Sequence, residues 1–292
     1  MGKASIALCG IVKDEIHAIV EWLAHYKALG FTDFLIYDNE STDGTGDVLR
    51  ALDEAGELVH LDWPHEVGAR PQRMAYEHAR LHSDVDWLAF FDADEFLFLR
   101  ADPDMESFLA RFDADVSAIA LNWTVFGSGG QERYRAAPVI ERFTDALSED
   151  ARLNLTVKPI GRRAKLVGNG VHRVKIGAGR YVTPSGRNAS FQNSRAARSR
   201  DASVACLHHY AIKSMEEYAT KRARGDANTQ LHDRRRARMD RDFAAYDAGG
   251  AKNDDLARQS GPMRVEALRL CHILRAAGLS FPVWPFVEAD AR

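Results

Sequence analysis

The sequence has little cysteine, little net charge and no long apolar run. Its three cysteines, Cys9, Cys206 and Cys271, are scattered and lack the spacing of a metal site, so we expect no disulfide framework and a reduced, cytoplasmic compartment. The formal net charge is only −3, which gives no general attraction to nucleic acid. The apolar run 5–12 is too short to cross a membrane and has no signal-like flank, so no transmembrane segment is expected.

Length and patterning indicate an α/β fold. The chain has 292 residues, of which 46% are hydrophobic, enough for a substantial core. The first half alternates short apolar runs with amphipathic patterns, which predicts a mostly parallel central sheet flanked by helices. The predicted strands are 5–12, 33–37, 57–61 and 86–92, and the predicted helices are 15–29, 44–55 and 70–82.

The second half has a more mixed pattern. It predicts a helix at 107–112, a strand at 117–126 and a last helix at 262–277, followed by an aromatic tail that we expect to pack on the domain. Residues 177–200 are rich in Gly, Ser, Asn and Arg, which predicts a long flexible loop. Basic residues outnumber acidic ones over 195–241. A solvated basic face explains this excess, and a surface for an anionic acceptor or a membrane is the alternative.

Two carboxylates two residues apart, Asp92 and Asp94, follow the apolar run 87–91. Both side chains start on one side of the pleat, so one hard divalent ion can bridge them to a diphosphate. Ligands of such sheets collect outside the carboxyl ends of the strands, where Lys13 to Glu15 and Asp38 also fall. Asp38 can accept hydrogen bonds from a ribose or a base, or it can simply cap its own turn.

Several segments resemble, in the same order, the family 2 and family 92 glycosyltransferases, which have a GT-A fold. These segments are 12–15, 21–26, 38–45, 90–96, 122–128, 141–143 and 209–218. The resemblance implies a nucleotide-sugar donor, with UDP-sugars favoured, a divalent cation held by the two aspartates, and inverting transfer to a hydroxyl acceptor. It also implies one catalytic domain over 1–250, with a Rossmann-like donor half at 1–100 and an acceptor half at 101–250. Residues 251–292 then form a C-terminal helix and tail.

The resemblance assigns metal ligands and a general base. Asp94 and Asp92 are the expected carboxylate ligands, and Glu95 is a support residue or a sugar contact. His209 is the expected imidazole ligand, with His208 and His172 as alternatives, and an imidazole favours Mn²⁺ over Mg²⁺. Inversion needs a base on the acceptor side. The candidates for that base are Glu141, which can instead pair with a surface cation, and Glu132, which follows the turn 127–130.

Other polar residues are candidates for donor binding. Arg70 and Gln72 lie at the start of a predicted helix, where anions bind, although both can be ordinary helix-start residues. Lysines and arginines of a later helix can close on phosphate, or they can simply be surface cations. The donor-binding candidates are Lys13, Glu15, Asp38, Arg70, Gln72, Asp92 and Lys213, with Lys221 and Arg224 as further phosphate contacts.

Two other functions are compatible with strand-end carboxylates. A metal-dependent nucleotidyltransferase or phosphatase would use them, but the chain lacks an Asp followed by Thr after the strand and lacks a Gly-rich phosphate loop. A nucleotide-sugar- or carbohydrate-binding protein without turnover is the other alternative, and the intact acids at 92, 94 and 95 argue against it. The resemblance makes a cell-surface glycan or glycolipid the expected acceptor, with peripheral contact at the inner face of the membrane.

Overall fold

A computed structural model describes residues 4–64, 69–224 and 243–279. The densest basic segment, 234–236, and the aromatic tail 281–286 lie outside the described residues, as does the side chain of Arg224. The strands are β1 (Ile6–Val12), β2 (Asp33–Asp38), β3 (Val59–Asp62), β4 (Trp87–Phe90), β5 (Glu95–Leu99), β6 (Val116–Val125), β7 (Asp145–Leu147), β8 (Val157–Arg162), β9 (Leu166–Asn169), β10 (Val174–Ile176), β11 (Arg180–Val182), β12 (Ala205–His209) and β13 (Gly250–Lys252). The helices are α1 (Ile19–Ala28), α2 (Thr45–Glu54), α3 (Pro71–His82), α4 (Met105–Leu109), α5 (Val139–Arg142), α6 (Met215–Arg224), α7 (Asp255–Arg258) and α8 (Gly261–Ala276).

The α/β class is confirmed, with one large mixed sheet flanked by helices. The sheet has nine strands in the order β3-β2-β1-β4-β8-β6-β12-β5, and β11 pairs with β6. Five of its eight strand pairings are parallel, and the antiparallel ones involve only strands β4, β5, β6, β8 and β12. The predicted elements of the first half all occur, within a few residues of the predicted bounds. The part of the sheet formed by the first four strands, β3-β2-β1-β4, is therefore purely parallel.

Strand β5 was not predicted, and side chains of α1 cover its backbone. The indole of Trp22 and the hydroxyl of Tyr26 both donate to the Glu95 carbonyl, at 3.0 and 2.8 Å. The Nε2 atom of His25 lies 2.8 Å from the Leu97 carbonyl. Because β5 is the last strand of the sheet, its backbone groups need partners from outside it. The segment 21–26 therefore has a structural reason for its aromatic and imidazole side chains.

The prediction of a long loop over 177–200 is wrong in part. Residues 180–182 form β11, which adds a parallel strand to β6. Isolated bridges join Phe191 to Ala197 and Thr156 to Ala196, and Ala197 is buried. The segment has few apolar residues, so its periodicity is weak, but backbone pairing to the rest of the sheet does not require apolar side chains.

The last helix is part of the main core. Along α8 the buried residues Met263, Ala267, Leu270 and Leu274 recur every three or four positions, which forms one apolar face. That face packs along α1, and its residues belong to the same hydrophobic cluster as the first strands. None of the helices in the described ranges is long and apolar enough to cross a membrane.

Candidate active site

The first three strands end in one row. Parallel pairing aligns Val12 of β1 with Asp38 of β2, and Asp38 with Asp62 of β3. Cys9 of β1 pairs with Phe90 of β4, so the acidic segment after β4 emerges at the same edge. The three predicted strand ends are therefore neighbours, as parallel pairing requires.

Hydrogen bonds hold the first two strand-end loops together. The backbone N–H groups of residues 14–16 donate in turn to side-chain oxygens of Ser41, Thr45 and Asp43, at 2.9 to 3.0 Å. In return, the N–H of Thr42 donates to a carboxylate oxygen of Asp14 at 2.6 Å. Asp14 has a φ of 50°, an uncommon conformation for a residue other than glycine. Helix α1 begins at Ile19 and not at the predicted residue 15.

The position of Asp38 is compatible with both of its predicted roles, capping its own turn and binding the donor. Its Oδ1 accepts a hydrogen bond from the Ser41 N–H at 3.1 Å, so it does cap its turn. Its Oδ2 lies against Gly46, where a Cβ atom would be only 2.7 Å away. The residue is 6% exposed at the strand-end row. Its donor-binding role stays a prediction.

Asp92 accepts three hydrogen bonds on one oxygen. Its Oδ1 takes donors from Gln72 at 2.6 Å, from Lys158 at 2.8 Å and from Tyr76 at 3.2 Å. Gln72, a predicted donor-binding residue, is therefore a partner of Asp92. All three of these bonds are on Oδ1, so within the residues that the structure describes Oδ2 is the oxygen that a metal ion or a ligand could use.

Glu95 has the buried contacts expected of a support residue, and its alternative role as a sugar contact stays a prediction. It is fully buried, and its two oxygens accept hydrogen bonds from the Trp123 indole and from the Asp92 N–H, both at 2.8 Å. The ammonium of Lys158 lies 3.5 Å from Glu95 and is itself completely buried. Burial opposes the charged form of Lys158, but Asp92 and Glu95 together raise its pKa. The buried Lys158 ammonium therefore pairs with both Asp92 and Glu95, the acids on either side of Asp94.

Asp94 faces two basic side chains. Its Oδ2 accepts a hydrogen bond from the Lys221 ammonium at 2.6 Å, and its Oδ1 lies 3.5 Å from His209 Nε2. Burial opposes ionisation of Asp94, but Lys221 and His209 hold the pKa of its carboxyl well below the usual range. The side chain is 10% exposed. Asp94 is thus a buried carboxylate that stays ionised because Lys221 and His209 lie against it.

Strand alternation distinguishes the two adjacent histidines. His209 stacks on Trp123 with ring centroids 4.0 Å apart, on the Asp94 side of β12. His208 points the other way, between Phe98 and Phe126, and burial lowers its pKa to about 3. His172 lies beyond Trp123, and its Nδ1 is 3.2 Å from the Val157 carbonyl. Of the three histidines, His209 is the one that contacts Asp94, and its role as a metal ligand stays a prediction.

The donor set around Asp94 fits a divalent cation. In this structure the positively charged Lys221 ammonium donates to one oxygen of Asp94, at a position that a metal cation could take. The Nδ1 atom of His209 is buried and has no hydrogen-bond partner within the described ranges. Carboxylate oxygens with one imidazole nitrogen suit Mn²⁺ better than Mg²⁺. Asp94 and His209 are the side chains close enough together to hold such an ion, whereas the ligand atoms of Asp92, Asp94 and His209 do not all lie within 4.8 Å of one another. An ion at Asp94 would displace the Lys221 ammonium.

A polar cavity of about 230 Å³ adjoins Lys221. It lies between the loop after β1 and helix α6. The rings of His17 and Tyr134 are 4.6 Å apart, and the Lys213 ammonium is 3.3 Å from Glu15. Lys213 has a φ of 53°, so this part of the wall also has an uncommon backbone conformation. The lining residues are Asp14, Glu15, His17, Tyr134, Ala211, Ile212, Lys213, Glu216, Glu217, Thr220 and Lys221.

The two predicted base candidates do not line this cavity. Glu141 makes a two-pronged ion pair with Arg264 of α8, so the surface-cation alternative describes its contact. Glu132 is exposed, and its carbonyl accepts a hydrogen bond from the Glu216 N–H at 2.9 Å. Arg70 is exposed at the residue before α3. The next residue of the short helix α5, Arg142, pairs with Glu217 of the cavity wall instead.

Sequence reasoning missed several residues of the site. Lys158 comes from β8, which was not predicted, and Trp123 was noted only as part of a motif. Glu216 and Tyr134 line the cavity. Glu216 lies within the resemblance segment 209–218 but was not a candidate for the base, and no local pattern distinguishes Tyr134 from a surface residue. The signal available for Lys158 was a lone lysine within the apolar run 157–160, where a charged side chain needs a buried partner.

The fold and the site define an α/β protein with an acidic, cation-rich centre at the carboxyl ends of parallel strands. The chain belongs to glycosyltransferase family 92, whose family model matches residues 5–244. It is 24% identical over 184 residues to a family 92 protein of Oryza sativa subsp. japonica, covering 61% of this chain and 31% of that protein. It is 28% identical over 196 residues to one of Ricinus communis, covering 62% and 33%. The chain spans about a third of the length of these curated relatives.

Solved structures provide more distant likenesses. Mannosyltransferase PcManGT from Pyrobaculum calidifontis, in complex with GDP-Man and Mn²⁺, has a TM-score of 0.42 at 13% identity, covering 98% of this chain and 78% of that chain. TarS of S. aureus, as residues 1–349, has a TM-score of 0.41 at 14% identity, covering 83% and 70%.

Proposed function

We propose that this protein is a metal-dependent, inverting glycosyltransferase that moves a sugar from a nucleotide-sugar donor to a hydroxyl acceptor. The observation that carries the proposal is Asp94, a buried and ionised carboxylate that contacts Lys221 and His209 beyond the carboxyl end of strand β4. Family membership supports the same reaction class. A UDP-sugar is the favoured donor by resemblance.

The strand-end row is the proposed donor site. The nucleoside would lie along the ends of β1 and β2, near Lys13 and Asp38, and the diphosphate would lie toward Asp94. Mn²⁺ held by Asp94, Asp92 and His209 would act as a Lewis acid on the departing diphosphate. Lys221 and Lys213 lie in the cavity wall and would contribute further positive charge there.

The cavity beside Lys221 is the proposed place of the acceptor. Its paired rings, His17 and Tyr134, offer an apolar face, and its acids offer hydrogen-bond acceptors to sugar hydroxyls. The expected acceptor is a glycan or glycolipid. Transfer would take place in the cytoplasm, with peripheral contact at the membrane.

Glu216 is the best-placed carboxylate in this cavity for the general base. Burial works against ionisation of Glu217, but Arg142 and Lys213 lower its pKa to about 2, so it binds protons too weakly. Glu216 accepts the Tyr134 N–H on Oε2 at 2.7 Å, and its Oε1 has no hydrogen-bond partner within the ranges that the structure describes. That oxygen could accept a proton from an acceptor hydroxyl.

We therefore expect Glu216→Gln to lower kcat with a saturating donor by roughly 10²-fold or more, the typical contribution of a positioned base. Glu132→Gln and Glu141→Gln are the matched comparisons, because both were candidates from the sequence. Steady-state transfer and donor binding would be measured on all three variants. If Glu141→Gln or Glu132→Gln alone abolished transfer while donor binding was retained, the base would be that residue and Glu216 would be a wall residue.

Binding of nucleotides tests the proposal as a whole. The thermal midpoint of the protein would be measured against UDP, GDP, dTDP and CDP, each with and without Mn²⁺, because a ligand that binds only the native state raises it. We expect one nucleotide, UDP by preference, to stabilise the wild type only with Mn²⁺, and this effect to be lost in Asp94→Asn. Donor hydrolysis without acceptor then separates an enzyme from a passive binder. No shift with any nucleotide would contradict the proposal.

A further inference from the structure

A second group of metal-ligand side chains lies at the edge of the sheet. Strand β3 is the edge strand, and its His60 and Asp62 are two residues apart, so both side chains start on the same face. Parallel pairing puts Asp38 of β2 directly beside Asp62. One ligand atom from each of the three residues lies within 4.8 Å of the others.

The imidazole of His60 has an unsatisfied nitrogen that faces this group. Its side chain is only 5% exposed, and within the described ranges its buried Nε2 has no hydrogen-bond partner. That nitrogen lies 3.7 Å from Asp62 Oδ1. A buried polar nitrogen without a partner costs free energy unless a ligand or a proton satisfies it. The Asp62 side chain is 78% exposed, so an ion can enter from the solvent.

We propose that Asp38, His60 and Asp62 bind one divalent transition-metal ion of the Zn²⁺ class. One imidazole nitrogen and two carboxylate oxygens form a donor set that suits such an ion, with water completing the coordination. Ligand atoms around a tetrahedral Zn²⁺ lie ~3.4 Å apart. The 3.7 Å between His60 and Asp62 therefore needs only a small adjustment.

This site is separate from the one at Asp94. The strands that carry it, β2 and β3, lie two and three positions from β4 in the sheet, which corresponds to roughly 10 and 14 Å between strand axes. The ion would link the edge strand β3 to β2 and would engage Asp38, the residue also proposed to contact the nucleoside. Zinc binding here does not depend on sugar transfer.

The test is titration of the full chain with Zn²⁺ alone, without nucleotide, by isothermal calorimetry. We expect Asp62→Asn and His60→Gln each to weaken one binding event by at least roughly tenfold, since loss of even a second-shell partner costs 10- to 100-fold. Asp53→Asn, which removes an exposed carboxylate of α2, is the surface-charge control and should bind as the wild type does. Asp94→Asn should keep the same binding event.

A thermal readout keeps the test independent of activity. Zn²⁺ should raise the melting midpoint of the wild type and of Asp94→Asn, but not that of Asp62→Asn. If His60→Gln does not fold, Asp62→Asn still decides, because its side chain is exposed. Unchanged Zn²⁺ binding in Asp62→Asn would overturn the proposal, as would a single binding event that Asp94→Asn removes. If either of these two results were found together with intact nucleotide binding, the zinc proposal would fail and the proposed sugar transfer would be unaffected.

Discussion

Asp94→Asn is expected to slow sugar transfer by roughly 10²- to 10³-fold, the loss seen when one group that stabilises transition-state charge is removed. The amide keeps the size of the carboxyl but removes the negative charge that Lys221 and His209 face. The leaving diphosphate would then lose the cation that this carboxylate positions. The effect should fall on kcat at saturating donor and should be matched by a loss of metal-dependent nucleotide binding.

The variant should remain folded. The Lys221 side chain is 36% exposed, so water can solvate its ammonium once Asp94 is neutral. Asp84→Asn, at an exposed aspartate before β4, is the matched control and should transfer sugar at the wild-type rate. Kinetics and thermal melting on both proteins check the prediction. Normal turnover by Asp94→Asn would show that the reaction does not use this carboxylate.

Lys158→Met is expected to destabilise the protein by roughly 3–5 kcal/mol at neutral pH, the usual cost of removing one partner of a buried ion pair. The ammonium lies 2.8 Å from Asp92 and 3.5 Å from Glu95, and both Lys158 and Glu95 have fully buried side chains. Burial already raises the pKa of Glu95 above its usual range, and Lys158 opposes that rise. Without Lys158, Glu95 must stay as an unpaired buried charge or take up a proton. The loss should therefore be larger at pH 8 than at pH 5, because protonation of Glu95 becomes more costly as pH rises.

Urea denaturation of three variants would measure this cost. Lys158→Met with Glu95→Gln should recover part of the lost stability, since the second change removes the uncompensated charge. Lys175→Met, at an exposed lysine of β10, should change stability by less than about 0.5 kcal/mol. A double variant no more stable than Lys158→Met would contradict the assignment of the cost to Glu95.

Local patterns were enough for most of the first half of the fold. Apolar runs bounded by turn residues located four strands, and amphipathic spacing located α1, α2 and α3. Strand β5 could not be found in this way, because it follows the acidic segment directly and becomes a strand by pairing with β12. Strand β11 was missed for a similar reason, since its partner lies more than fifty residues away.

For the site, the sequence by itself determined which acids end the parallel strands, because a short buried strand followed by Asp-x-Asp has few other places to lie. The tertiary structure decided how those acids are paired. Lys158 reaches Asp92 from β8, Lys221 reaches Asp94 from α6, and the register of β12 turns His209 rather than His208 toward Asp94. It also placed Glu141 against Arg264 of the last helix. Such contacts depend on strand order and register between distant segments, which the spacing of residues along the chain does not specify.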